Sequence, residues 1–587
     1  MSKGRTWRAG LSSLMATSAV LTAAGALGAT PPPAPLSREQ VNPAQQIQET
    51  HRRRPPDVFS GPIKEPCRLS DSPALAFDFK QAVIQDDAKL LSERDRQFAL
   101  GDLVGKRITP RQLCGVRDRL AQRVFKHWIL ARVIIPPQVA AAGVVKFQIL
   151  PAKIVSVRFD GDDIGPAQKV VEGYLDRLRH RSAFNLDELQ KWLLLVNDIP
   201  GISAMAKIVH SGAPGAPPEG LDLIVTLRRT PIDESAMVAN TNSAALGPWT
   251  GLARVDFNSF TPLAERTSLV VYGTLGNFRQ DVFQIQESAR LGESGLFGQA
   301  SFAYGRSRPG NVLAPLDLTG DSYTGSFEID YPLIRLQRQT LILASGMDFV
   351  NQTTTFPPNR PISDDALRVV WVRADGSLAA TDRPWGDTLV STAADLSVQA
   401  RKGLEILGAS EAGAPALSRP GGFADAWVVR AEGHASVRLA PAAGRWPALT
   451  FTTHLIGQWA DRPLLSYEQQ AIGNLTVGRG YDPSAASGDD VVAGEIKAEV
   501  GPLKVGKTTR VTPYVFYDAA RVDYLGSGIQ DVTLRSLGGG LELRLPYDRR
   551  GDSIRMDLGY AKPLDRPVAL ATKKPPERFL VQVIMNH

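Results

Sequence analysis

The chain has 587 residues, of which 67 are Lys or Arg and 60 are Asp or Glu, so its formal net charge is +7. Spread over this length, the surplus is too small to indicate nucleic-acid binding. After residue 29 there is no run of about 18 apolar residues, so the sequence predicts no membrane-spanning helix.

Residues 1–29 have the layout of a cleavable signal peptide. Lys3, Arg5 and Arg8 precede an Ala-rich apolar stretch that ends in small residues, and setting these three aside lowers the net charge from +7 to +4. Signal peptides combine a basic start with a short apolar region and a small-residue cleavage site. The alternative is a membrane anchor, which the Ser and Thr residues within the stretch disfavour. We therefore predict an exported protein.

Residues 30–54 are polar and predict a short helix. Ser37 and Gln40 have the spacing of a capping box, and the Gln and Glu residues that follow favour helix. The segment has too few apolar residues to form its own core, so it would be disordered or lodged in a polar environment. Residues 55–66 contain four prolines and predict an extended linker.

Two small α/β units are predicted at 67–150 and 151–230. Each combines strands with a helix that has one apolar face, and in the second unit Asn185 and Glu188 form a capping-box pattern at the start of that helix. Because the two units repeat one plan in about 80 residues each, the sequence indicates a tandem array.

The chain contains two cysteines, Cys67 and Cys114, and both lie in the first of these units. In an oxidising periplasm they could form a disulfide that ties the start of the unit to its second helix. Two separate buried thiols are the alternative, because spacing alone does not prove a pairing.

Residues 231–587 are a succession of strands in which apolar and polar side chains alternate. The segments 427–439, 553–560 and 578–587 each have one apolar face and one face that carries charged or polar groups. Segments of roughly ten residues are long enough for a tilted strand to cross a bilayer. A soluble β-sandwich can also alternate, but many such segments with nothing helical between them favour one closed transmembrane barrel.

Two motifs within this region predict a loop that folds back into the barrel. On the strand 511–520, Phe516 and Asp518 lie opposite an apolar face, so Asp518 would point into the lumen. Arg479, followed by Gly480 and Tyr481, would supply a guanidinium partner for this carboxylate. The alternative is a solvated Arg-Gly turn and an unrelated Asp.

Taken together, these parts resemble the outer-membrane transporters of two-partner secretion, the TpsB family of POTRA-bearing barrels. Glu468 to Gly473 and Gly478 to Tyr481 are similar to the family's sixth extracellular loop, and Phe516, Asp518 and Ala520 to the strand motif that receives its tip. Gly478 stands where the family usually has Val, Ala520 where it has Gly, and the chain ends in Asn586-His587 rather than an aromatic residue.

The resemblance implies a fold that runs through the whole chain. It assigns a plug helix to 30–54, a linker to 55–66, two periplasmic POTRA domains to 67–150 and 151–230, and a transmembrane antiparallel β-barrel of about 16 strands to 231–587. The protein would lie in the bacterial outer membrane, in contact with its lipid, with the POTRA domains in the periplasm.

The same resemblance implies that the protein exports a large unfolded partner, a TpsA-like haemolysin or adhesin that the POTRA domains bind. The alternative is an assembly factor that inserts barrels into the outer membrane; a diffusion porin would not need residues 31–230. We find no phosphate-binding loop and no hydrolase or metalloprotease motif, so we predict no enzyme, no nucleotide hydrolysis, no cofactor and no metal. His434 and His454, on predicted lumen faces, are interpreted as hydrated pore residues.

Overall fold

The computed structural model describes residues 36–43, 66–139, 141–179, 184–358, 360–442, 444, 446–526, 528, 530–546, 553–566 and 575–586. The predicted signal peptide, residues 30–35 and 44–54 of the predicted plug helix, and nearly all of the predicted linker lie outside these ranges. Within them, no helix is long and apolar enough to cross a membrane. The first element is a helix of one turn, α1 (Arg38–Val41).

Two α/β units follow α1. The first contains β1 (Phe77–Phe79), β2 (Gln81–Gln85), α2 (Glu93–Leu100), β3 (Lys106–Ile108), α3 (Gln112–Lys126), β4 (Ile129–Ile134) and β5 (Val144–Pro151). The second contains β6 (Lys153–Gly161), α4 (Gln168–Asp176), β7 (Phe184–Asn185), α5 (Leu186–Asn197), β8 (Ile202–His210) and β9 (Gly220–Arg229).

In the first unit, α3 packs its apolar face on a sheet of order β2-β5-β4-β7. The predicted face of this helix is buried, with Leu120 and Val124 fully enclosed against Phe147 of β5. Cys67 and Cys114 are joined by a disulfide with Cα atoms 5.9 Å apart. The edge strand β7 belongs by sequence to the second unit, and its backbone pairs with β4. The two units therefore share one sheet.

The second unit is a three-stranded sheet of order β6-β9-β8 covered by α4 and α5. Asn185 caps α5 as predicted, with its side chain accepting a hydrogen bond from the Asp187 amide at 2.9 Å. The far end of α5 meets the barrel, where Asp198 receives two hydrogen bonds from the guanidinium of Arg335, at 2.6 and 2.7 Å. Ser259 Oγ adds a 2.7 Å bond to the Pro200 carbonyl. This unit is thus fastened to the barrel rim.

The remaining strands form an antiparallel barrel that closes where β10 pairs with β28. Its strands are β10 (Ile232–Ala239), β11 (Thr250–Asn258), β12 (Arg266–Thr274), β13 (Gln280–Arg290), β14 (Phe297–Ser307), β15 (Thr319–Arg335), β16 (Gln339–Phe356), β17 (Arg360–Trp385), β18 (Thr388–Gly403), β19 (Trp427–Pro441), β20 (Leu449–Ala460), β23 (Asp490–Val500), β24 (Leu503–Val505), β25 (Thr509–Asp523), β26 (Val532–Pro546), β27 (Ser553–Pro563) and β28 (Arg578–Asn586), while β21 (Gln470–Ile472) and β22 (Ala486–Gly488) form a separate hairpin. Because β23 and β24 pair successively with β25, they are one interrupted strand, and the wall has sixteen.

The predicted alternation places side chains on the two faces of this wall. On β25, Tyr514, Phe516 and Asp518 are buried inside, whereas Val515 and Tyr517 on the other face are exposed. The exposed apolar side chains of the wall form the surface that meets lipid, and the inward side chains form a charged, hydrogen-bonded lumen.

Candidate functional site: a loop seated in the barrel lumen

The connection between β20 and β23, residues 461–489, folds into the lumen. Its hairpin, β21 with β22, pairs Gln470 with Gly488, and its tip lies at 478–481. Tyr481 at this tip is only 1% exposed, which shows that the tip is enclosed by the barrel and not by water. We call residues 461–489 the lumen loop.

Glycine is required at the tip for two separate reasons. Gly478 has φ of +115°, in the left-handed half of conformational space where side chains are strained. At Gly480 a Cβ would lie 2.8 Å from the Ser536 Cβ and 3.0 Å from the Pro563 nitrogen, closer than real contacts allow. The tip can therefore approach the wall only because Gly480 has no side chain.

Asp518 on β25 holds the backbone of the tip. Its Oδ2 accepts a 2.7 Å hydrogen bond from the Arg479 amide and a 2.8 Å bond from Ser536 Oγ. Ser536 Oγ in turn accepts from the Gly480 amide at 3.2 Å. Asp518 is completely buried, so its Oδ2 is satisfied by these donors and not by bulk water, while Oδ1 has no hydrogen-bond partner among the described residues.

The guanidinium of Arg479 forms its ion pair with Glu495 on β23, with Nη2 to Oε1 at 2.8 Å. It also lies 4.7 Å from the ring centre of Phe516, a cation–π distance. The expected pairing of this guanidinium with Asp518 therefore needs correction. The structure brings the two residues together, but Asp518 accepts a hydrogen bond from the Arg479 backbone amide, and Glu495 forms the ion pair with the guanidinium. Burial opposes the charge of Arg479, yet Glu495 and Asp518 outweigh it and raise the pKa of the guanidinium.

Tyr481 fastens the other side of the tip. Its hydroxyl donates to the Arg535 carbonyl at 2.7 Å and accepts from the Asp565 amide at 3.0 Å. Burial raises the pKa of this phenol, which keeps it protonated and able to donate. All five predicted residues of the loop and its receiving strand thus meet at one place in the lumen.

Two further carboxylates, to which the sequence interpretation gave no individual role, anchor the rest of the lumen loop. Glu468 pairs with Arg401 at 2.8 Å and Arg430 at 3.0 Å, both on the barrel wall. Asp489 pairs with Arg419 at 2.6 Å and accepts the Leu464 amide at 2.9 Å. Because all of these groups are shielded from water, removing one partner would leave a buried charge unpaired.

Residues 36–43 also lie in the lumen and touch the lumen loop. Of the predicted capping box, the bond from the Ser37 amide to Gln40 Oε1 is formed at 3.1 Å, and Val41 is fully buried against lumenal side chains. Arg38 donates to Gln470 of the lumen loop at 3.1 Å. This helical turn ends at Val41, because Pro43 disfavours helix in the residue before it. The rest of the predicted plug helix, residues 44–54, lies outside the described residues. We call residues 36–43 the lumenal segment.

Residues 223–545 match the family of haemolysin secretion/activation proteins ShlB/FhaC/HecB, and this match spans more than half of the chain. The chain belongs to this family. The ShlB/FhaC/HecB assignment agrees with the closed sixteen-stranded barrel and its lumen loop.

Individual relatives of this ShlB/FhaC/HecB protein extend over nearly its whole length. The heme/hemopexin transporter protein HuxB of Haemophilus influenzae is 23% identical over 547 residues, which cover 88% of this chain and 89% of HuxB. The structure of CdiB from Escherichia coli superposes with a TM-score of 0.66 at 15% identity, covering 95% of this chain and 100% of CdiB. BamA from Haemophilus ducreyi gives 0.50 at 12% identity, covering 87% and 100%.

As a ShlB/FhaC/HecB protein, the chain is an outer-membrane transporter of two-partner secretion, and its cargo is a secreted partner protein. The predicted family, fold class and location are confirmed. The match to the ShlB/FhaC/HecB family favours a transporter over an insertion factor. The superposition on BamA is weaker than that on CdiB.

Proposed function

We propose that the protein exports one large unfolded partner through its barrel without nucleotide hydrolysis, and that the seated lumen loop is required for that export. The observation that carries the proposal is the contact of Arg479 with Glu495 and Asp518 inside a closed barrel. This contact fixes a loop across the lumen that the partner must traverse, so it determines the geometry of the path.

The test is secretion of the partner by the Arg479→Ala variant. We expect the variant to reach the membrane as a folded barrel and to leave the partner in the periplasm. Arg521→Ala is the matched control, because Arg521 lies at the exposed end of β25 and pairs with Asp523 and Asp531 outside the lumen. Normal secretion by Arg479→Ala would refute the role of the loop.

For the first contact with the partner, we propose addition of an extended segment to the open edge of β8. Asn197 bonds the amide and carbonyl of Ala204 at 2.9 and 3.0 Å, so these groups point away from β9. Because strand hydrogen bonds alternate, Ala206 and Ile208 present their backbone groups on the same outward edge. Backbone pairing at such an edge provides affinity without demanding one partner sequence.

The matched pair Ala206→Pro and Ala206→Ser tests this contact. Proline removes the outward N–H, whereas serine keeps it, so only the proline variant should lose cross-linking to the partner's N-terminal segment. The measurement is cross-linking yield with the full-length transporter in detergent. Equal yields for the two variants would move the contact to another surface and leave the Arg479 test unaffected.

A further inference from the structure

Two histidines of the barrel wall stack face to face in the lumen. His434 on β19 and His454 on β20 are direct partners in the strand register, and their rings lie 4.2 Å apart with planes inclined by 9°. Both alternate with lipid-facing residues such as Ala435 and Leu455, which places the imidazoles on the inner face. Both histidines are separate from the residues described above that seat the lumen loop.

A carboxylate from the same wall completes a group of three metal-binding side chains. Glu432, two residues before His434, has its Oε1 2.9 Å from His454 Nε2. One donor atom from each of Glu432, His434 and His454 lies within 4.8 Å of the others. Small side-chain rotations would bring three such donors to the distance of about 2.0–2.2 Å that zinc requires.

The fourth residue of the cluster orients one of the imidazoles. Asp395 on β18, the register partner of His434, places its Oδ2 3.0 Å from His434 Nδ1. A carboxylate in this position commonly orients a metal-bound histidine. The side chains are 17 to 49% exposed, so ions in the lumen can reach them.

We propose that Glu432, His434 and His454 form a binding site for a divalent transition-metal ion of the zinc type. Two imidazoles and one carboxylate are the ligand set of open zinc sites, in which the remaining position is taken by water. Imidazole nitrogens select against calcium and magnesium, which prefer oxygen ligands.

The position of the site places it beside the residues that seat the lumen loop. His454 is the register partner of Glu495, which holds Arg479. A bound dication would add positive charge one strand away from the Arg479–Glu495 ion pair.

The test uses tag-free full-length protein in detergent, freed of metal with a chelator and titrated with Co²⁺, which has visible absorption that reports its ligands. We expect a saturable absorption that Zn²⁺ abolishes by displacement. His454→Ala should remove it, and Asp395→Asn should weaken binding by about 10- to 100-fold. His127→Ala is the control, because His127 contacts the single carboxylate of Asp95 at 3.2 Å in the first α/β unit.

Two results would overturn the proposal: no saturable Co²⁺ absorption in the parent protein, or His454→Ala titrating like the parent. Heat-modifiable migration on gels checks that each variant retains its barrel. If His454→Ala does not fold, His454→Gln and Glu432→Gln provide the same comparison with side chains of similar volume, and unchanged Co²⁺ binding by both would equally refute the site.

Discussion

Replacing Arg479 with alanine should shift the equilibrium between the seated and the released tip of the lumen loop by an amount that the structure allows to be worked out. The substitution leaves Glu495 without its cation in a site where the carboxylate side chain is only 12% exposed. Breaking a buried ion pair costs about 3–5 kcal/mol, and because Arg479 keeps 24% exposure we take the lower end, about 3 kcal/mol. At about 1.4 kcal/mol per factor of ten, the equilibrium between seated and released tip shifts by about 100-fold.

Hydrogen exchange at the tip measures this shift directly. The amides of residues 479 and 480 are protected by Asp518 and Ser536, so their exchange reports the population in which the tip has left the wall. We expect exchange of a peptide containing them to be about 100-fold faster in Arg479→Ala than in the parent.

A second substitution separates the two possible partners of the guanidinium. Arg479→Ala combined with Glu495→Gln should exchange more slowly than Arg479→Ala alone, because glutamine leaves no charge unpaired. Arg521→Ala should match the parent. If the double variant exchanges as fast as the single one, or if Arg479→Ala alone is protected like the parent, the ion pair does not hold the loop and the reasoning fails.

Three further substitutions have defined outcomes. Gly480→Ala should accelerate exchange at the tip, because a Cβ there meets Ser536 and backbone; Gly325→Ala, where the nearest atom is 3.9 Å away, should not. Cys67→Ser should lower the stability of the first α/β unit by about 4 kcal/mol, the loop-closure value for a separation of 47 residues, seen as faster proteolysis of that unit. Glu265→Gln tests the pKa of the Glu265 carboxyl, which burial raises but hydrogen bonds from Thr261 lower on balance. The backbone amides of this turn should exchange more slowly in the parent than in the variant. This difference should be complete above the ordinary glutamate pKa and disappear as the pH falls through the lowered pKa of Glu265.

The sequence predicts the direction of a strand's side chains more securely than it predicts which residues of the adjacent strand lie beside them. Alternation along β25 correctly directs Asp518 inward, because side-chain direction in a strand follows from position alone. Which inward residue of β23 lies beside it depends on strand register, which depends in turn on turns and closure of the whole barrel. Glu495 could be identified as inward-facing, but nothing local distinguished it from Lys497 as the neighbour of the tip.

Other differences have equally specific causes. The helical turn that begins at Arg38 stops after Val41, and the effect of Pro43 on the residue before it was already visible in the sequence. The pairing of β7 with β4 was beyond reach, since a strand of two residues has no detectable period. The anchoring of Glu468 and Asp489 by distant arginines required the folded lumen loop to be known first.

The short strand β7 of the second periplasmic unit pairs with β4 of the first and so links the two units mechanically. Asn185 is bonded to β4 through its backbone and begins α5, whose opposite end is pinned to the barrel at Arg335. A force on the first unit is therefore transmitted through β7 and α5 to the rim of the barrel. The orientation of the first unit is thus coupled to the entrance of the channel.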